Sequence, residues 1–431
     1  MSSGAFSYLS VLFLLSSSLL FGQRNESHFK MAKSNYIKSI EHKLHLQPDK
    51  NSDFLIHLEG RNDSKNNFVL RGDYYEIEEE SLKIFVENRP SFFTQNLTVN
   101  NKRLKLALEQ VEIHTSDFRV NTSDGQEIYP EIKSSTFYRG YVVGDVNSWA
   151  TLSIINGKLQ YLIATAEGNF DIYHTENGKY FGTFSKADHA GHICISDKEP
   201  TKNDQTTNHH HTSGTRSGNC LQVYMEVDRH TFLQFGNTTA TTAWVNALFL
   251  NVSTIYAIHD VPLALSEIYI RNTLPDPYAS SNDISAIKDQ FVSTIQNSYN
   301  GRIAHLLTTR PLGGGLENGI GGFCNTYPTY PGPQCVSSSL SSNNTIQQNY
   351  SYNAYLVAHE MGHVLGLRHT NACVWNNTLV QIDDCGNVYA NNNQETPEGT
   401  SCYNVANPIL PSGGGTIMSK CNLIAGVGIN L

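Results

Sequence analysis

The stretch "VAHEMGHVLGLRHT", residues 357–370, constrains this chain more than any other. Residues four apart share one face of a helix, so His359 and His363 aim two imidazoles at one point. The preceding "YNAYL" extends the helix, with Asn349 or Ser351 as its cap. Leu356, Met361, Val364 and Leu365 supply apolar contact around it. Gly366 can end the helix in a left-handed turn, so that His369 swings back as a third nitrogen. Three neutral imidazoles and one open position describe a catalytic zinc site, whereas a structural site is closed by four protein ligands. Glu360 stands beside the first ligand, placed to take a proton from water there. The bland alternative, a helix with incidental histidines, would need the whole spacing to arise by accident among seventeen histidines.

The chain has 431 residues, enough for two separate cores, and it changes character near residue 200. Residues 24–195 read as β-rich: "FYRGYVVGDVNSWATLSIINGKLQYLI" alternates short aromatic and β-branched runs with turn signals. Asn156-Gly157 and Asn177-Gly178 are two-residue hairpin turns. No catalytic constellation occurs in that half. Residues 196–219 read as a connector almost without apolar positions. Its histidines, His209 to His211, have nothing around them to fix a metal geometry. Beyond it, "CLQVYMEV", "LALSEIYIRN" and "RIAHLLTT" read as strands. They alternate with a long apolar helix in "TATTAWVNALFLNVSTIYAI" and a helix bearing Ile284, Ile287, Phe291 and Ile295, capped by Asn282 or Asp283. That alternation predicts an α/β layer on a mostly parallel sheet.

The apolar run from Tyr8 to Phe21 has the length of a secretory signal, removed near residue 23, and is short for a membrane span. An exported chain suits the eight cysteines: Cys194, Cys220, Cys324, Cys335, Cys373, Cys385, Cys402 and Cys421. No C-x-x-C pair occurs, so disulfides are expected rather than a zinc ribbon, with about 105 pairings open. The net charge of −9 and the lack of a basic block argue against nucleic acid.

The pattern H-E-x-x-H-x-x-G-x-x-H resembles the signature of the metzincin zinc proteases. "RIAHLLTTRPLGGGLENGIGGFC" is similar to the strand and glycine segment of their reprolysin (adamalysin or ADAM-like) branch, and "FYRGYVVGDVNSWATLSIINGKLQYLI" to that branch's propeptide. "PSGGGTIMSKC" is closest in wording to secreted bacterial members. The resemblance implies a signal at 1–23, a β-rich propeptide at 24–216, and a catalytic domain at 217–431 on a twisted, mostly parallel sheet with a long zinc-binding helix. It implies a secreted zymogen that cleaves protein or peptide substrates and is inhibited by its own propeptide. It further implies one catalytic zinc on His359, His363 and His369, Glu360 as general base, and Met418 in a turn beneath the metal. Calcium is left open. Cys194 implies one of two devices: a disulfide to Cys220 that tethers the propeptide, or a thiolate on the fourth zinc position. Thr370 departs from the branch, where aspartate often follows the third histidine in a structural hydrogen-bond network. The competing reading is a non-catalytic binding protein or toxin subunit on the same scaffold.

Overall fold

The computed structural model describes residues 37–42, 46 and 51–185, the last apart from 66–67, 100–101, 129–134, 146 and 176–177. It further describes 221–342, and 350–429 apart from 376–378. The expected signal, the connector with its three histidines, Asn177, Asn349, Cys194 and Cys220 lie outside the described residues.

In the N-terminal half the elements run β1 (Leu55–Lys65), β2 (Phe68–Ile77), α1 (Glu79–Asn88), β3 (Phe92–Val99), β4 (Lys102–Gln110), β5 (His114–Thr122), β6 (Glu127–Ile128), β7 (Ser135–Val142), β8 (Trp149–Ile155), β9 (Lys158–Thr165), β10 (Gly168–His174) and β11 (Tyr180–Ser185). Nine of these strands form one sheet in the order β1-β2-β11-β10-β9-β8-β7-β4-β3, paired antiparallel throughout. The turn between β8 and β9 is the expected Asn-Gly pair, with φ +52° at Asn156 and +75° at Gly157. Two positive φ values in succession match the right-handed twist of the strands they join.

The C-terminal half contributes β12 (Leu221–Val227), α2 (Arg229–Phe235), α3 (Thr238–Ile258), β13 (Leu263–Ile270), α4 (Ile284–Ile295), β14 (Ile303–Leu307), β15 (Gly315–Glu317), β16 (Gln334–Ser337), α5 (Tyr350–Val364) and α6 (Cys385–Asn392). The cap of α4 is Asp283, whose carboxylate accepts from the Ala286 amide. Ser351 lies inside α5 rather than capping it. The second sheet is mixed, in the order β15-β16-β14-β12-β13-β5-β6. Pairs from β16 to β5 are parallel, and β15 and β6 are antiparallel to their neighbours.

Two strands of this second sheet come from the N-terminal half. The chain leaves the first sheet after Gln110, lays β5 against β13, and returns to the first sheet at β7. A buried cluster follows the same path, joining Phe118, Val120, Trp149 and Leu162 to Trp244, Leu248, Val252 and Met361. Each such side chain contributes roughly 1.5–3 kcal/mol when fully buried, so the halves share a core rather than merely touch. The nine-stranded sheet keeps a second core of its own around Phe93, Tyr138 and Tyr161.

Candidate active site

Helix α5 ends as its sequence requires. Gly366 takes φ +101°, its amide donates to the His363 carbonyl, and the Leu367 amide donates to the Gly362 carbonyl. That paired closure needs a residue without Cβ at the left-handed position. It turns the chain so that His369 comes back over the helix. The His363 Nε2 atom then lies 3.1 Å from His359 Nε2 and 3.2 Å from His369 Nε2.

Every other ring nitrogen of the trio is already engaged. His359 Nδ1 donates to the Ile417 carbonyl at 2.6 Å, and His363 Nδ1 to the Leu367 carbonyl at 2.7 Å. His369 Nδ1 faces Glu398 Oε2 at 2.8 Å. With the proton on Nδ1, the three Nε2 lone pairs point at one another, an arrangement that repels unless a cation sits between them. Burial keeps the rings neutral: it pushes His359 down to about 4 and the other two well below the usual histidine range. Neutral, oriented, mutually convergent imidazoles fit a divalent metal of the zinc type.

Glu360 is wholly buried beside these histidines. Gly315 of β15 packs directly on its carboxylate, and any Cβ there would collide with it. Glu317, two residues along, brings a second carboxylate within reach of Glu360 and His363. On the opposite side, Met418 lies under the helix with its sulfur against Gly362, where a Cβ would stand 2.5 Å from it. The glycine between His359 and His363 thus makes the space that the methionine fills. Tyr355 ties helix and turn together by donating to the Ser419 carbonyl at 2.9 Å.

The structure therefore brings together His359, Glu360, His363, His369 and Met418. Sequence reasoning missed Glu398, Glu317 and Asp383. Thr370 keeps its place without an acidic side chain: its amide donates to the Met418 carbonyl at 3.1 Å. Asp383 lies beside it, its amide donating to the Thr370 carbonyl at 3.4 Å, and burial raises its carboxyl above the usual range, with the neighbouring Thr370 and Ser419 hydroxyls opposing that rise. Disulfides join Cys373 to Cys402 and Cys385 to Cys421 around this segment. Cys324 and Cys335 are unbridged.

Residues 217–424 match the family model Reprolysin_5, described as metallo-peptidase family M12. This part of the chain is similar to the reprolysin-like metallopeptidases. Among curated relatives, the chain is 21% identical over 347 residues to disintegrin and metalloproteinase domain-containing protein 10 of Bos taurus. The alignment covers 66% of this chain and 46% of that protein, so the chain spans about half the length of its relative. Among solved structures it is similar to metalloproteinase-II from Bacteroides fragilis, at TM-score 0.39 and 12% identity, covering 66% of this chain and 83% of the other. A chaperone–substrate complex follows at TM-score 0.25 and 11% identity, covering 59% and 30%. Both structural likenesses are too slight to carry an argument. No helix among the described residues is long and apolar enough to cross a membrane.

Proposed function

We propose that the chain is a secreted, zinc-dependent endopeptidase of the metzincin type, made as a zymogen. The observation that carries this reading is the convergence of three Nε2 atoms beside Glu360, each ring fixed through its Nδ1. His359, His363 and His369 would hold the metal. Zinc there would lower the pKa of a coordinated water to about 7 and act as a Lewis acid toward a carbonyl.

The protein's own groups do the rest. Glu360 takes the proton of the attacking water and passes it to the leaving amine, which keeps both transfers on one carboxylate. Glu398 fixes the His369 tautomer, and the Ile417 and Leu367 carbonyls do the same for the other rings. The substrate adds as a strand on β15, which ends the sheet beside Glu360. The flanking Gly313 and Gly314 let a second backbone come close.

The zymogen part is supported by burial: the trio and Glu360 are at most 1% exposed. A peptide cannot reach a carboxylate so enclosed until a covering segment moves. Cys194 belongs to the same proposal, either as a thiolate on the metal or as a disulfide to Cys220. A precursor carrying Cys194→Ser that is active before any cut supports the thiolate. A latent one with a mapped Cys194–Cys220 bridge in the wild type rules it out. A purely binding role is not favoured, since all three ligands and the glutamate are in place.

The direct test is casein cleavage by the processed protein, with a zinc chelator and after zinc is restored. Activity lost and regained supports the reading. Cleavage indifferent to chelation would end it.

A further inference from the structure

Helix α3 is buried on every side. Trp244, Val245, Leu248, Phe249, Val252 and Ile255 fill one flank, while Asn246, Ala247, Leu250, Asn251 and Thr254 are buried on the other. Such a helix needs cover on more than one flank. It packs on β13 and α5 from the C-terminal half, where Tyr256 donates to the Ala358 carbonyl at 2.8 Å, and on β8 from the N-terminal half. The two polar side chains facing that N-terminal layer are bonded to it. Asn246 meets His114 Nε2 at 2.8 Å, and Asn251 accepts from Thr151 at 2.5 Å.

The adjoining sheet edge is closed by the same half. β5 pairs in parallel with β13, with Glu267 opposite Arg119 and Ile268 opposite Val120. The Leu265 amide donates to the Ile113 carbonyl at 2.8 Å. Glu267 is buried, and its carboxylate accepts from Arg119 at 3.3 Å and from Asn121 at 2.7 Å. Asn300, in the loop between α4 and β14, donates to Asp117 at 3.2 Å. Removing residues 51–185 would uncover a buried flank of α3, leave two buried amides and one buried carboxylate short of partners, and open the whole β13 edge. Strand β10 of the N-terminal layer also touches helix α5, but none of the N-terminal strands pairs with β15, so the layer can remain without filling the substrate edge.

We infer that the N-terminal β unit is a lasting, noncovalent subunit of the peptidase, which stays docked on α3 and β13 after the connector is cut. The inference deepens the zymogen reading and rests on its cut within residues 196–219. Activation is then a local event near the zinc site, and the mature enzyme is two chains sharing one core.

The test uses the full chain in a Cys194→Ser background, which removes any disulfide tether, with a sequence-specific protease site placed between Asn203 and Gly214. After complete cutting, size exclusion without denaturant should give one peak at the elution volume of the uncut protein, containing both fragments. Amide hydrogen exchange in β13 and α3 should be unchanged. The fragments should part only when denaturant unfolds the C-terminal half as well. Two peaks under native conditions, with a monodisperse C-terminal fragment that keeps its thermal transition, would overturn the inference. Peptidase activity is read with the same protease site placed in a chain that keeps Cys194, because Cys194→Ser would itself unmask a thiolate-blocked site: an unchanged rate after cutting counts against the zymogen reading alone, whereas separation of the Cys194→Ser fragments counts against the subunit.

Discussion

The five strands that the C-terminal half contributes to its sheet end in two unlike edges. At one end stands β15, three residues long, preceded by glycines and lying against Glu360. At the other stands β13, eight residues of mostly buried apolar chain, paired along its outer side with β5. A long apolar edge left open invites pairing with any other strand, so a stable protein covers it. A short edge beside Glu360, the carboxylate we propose as the general base, is useful only if it can be reached. On the proposed reading, one sheet serves two purposes at its two margins: permanent assembly at β13 and transient strand addition at β15.

Substitutions at one margin should leave the other untouched. The largest effect belongs to Glu360→Gln, which keeps shape and burial but removes the proton acceptor. Peptide hydrolysis should fall by about 10²-fold or more, with metal content and the melting temperature held. Near-normal turnover would break the assignment of Glu360. Next comes Glu398→Gln, which replaces the carboxylate at His369 Nδ1 with a weaker acceptor. Zinc affinity, measured by competition with a chromogenic chelator, should drop by about 10–100-fold, and activity should return when zinc is in excess. An unchanged affinity would mean that Glu398 merely fills space. The smallest effect is expected at the covered edge. Arg119 is about one-third exposed, so Arg119→Ala should lower stability by about 0.2–1 kcal/mol in a denaturant melt. Zinc affinity and peptidase rate should not move. A loss of activity without a loss of stability would erase the contrast between the margins.

The part of the site written locally in the chain was legible. His359 and His363 lie four apart on a helix whose end is dictated by Gly366, so short-range geometry alone places two ligands and returns the third. Met418 was legible only through resemblance, although Gly362 leaves a space beneath the helix that its sulfur fills. Glu398 was not legible, because a histidine's second partner is chosen by loop packing across 29 positions and many acidic residues were eligible. The same limit hid the path of β5. Residues 114–122 alternate like the strands around them, and a period of two tells which face is buried but not which sheet is joined. The available signal was α3 itself: a 21-residue helix without a single charged side chain has no face suited to water and predicts cover on each flank. Asp383 shows how tertiary packing can supply beside Thr370 and Ser419 a carboxyl that the adjacent sequence position lacks.

X-ray absorption at the zinc edge of the processed protein tests the central claim most directly, because an open site and a closed one differ in their ligands. The account predicts one zinc per chain with three imidazole nitrogens at about 2.0–2.1 Å, a light oxygen scatterer completing the shell, and one imidazole fewer in His369→Ala. A shell of four protein ligands that includes sulfur in the processed enzyme, or a spectrum that His369→Ala leaves unchanged, would contradict it.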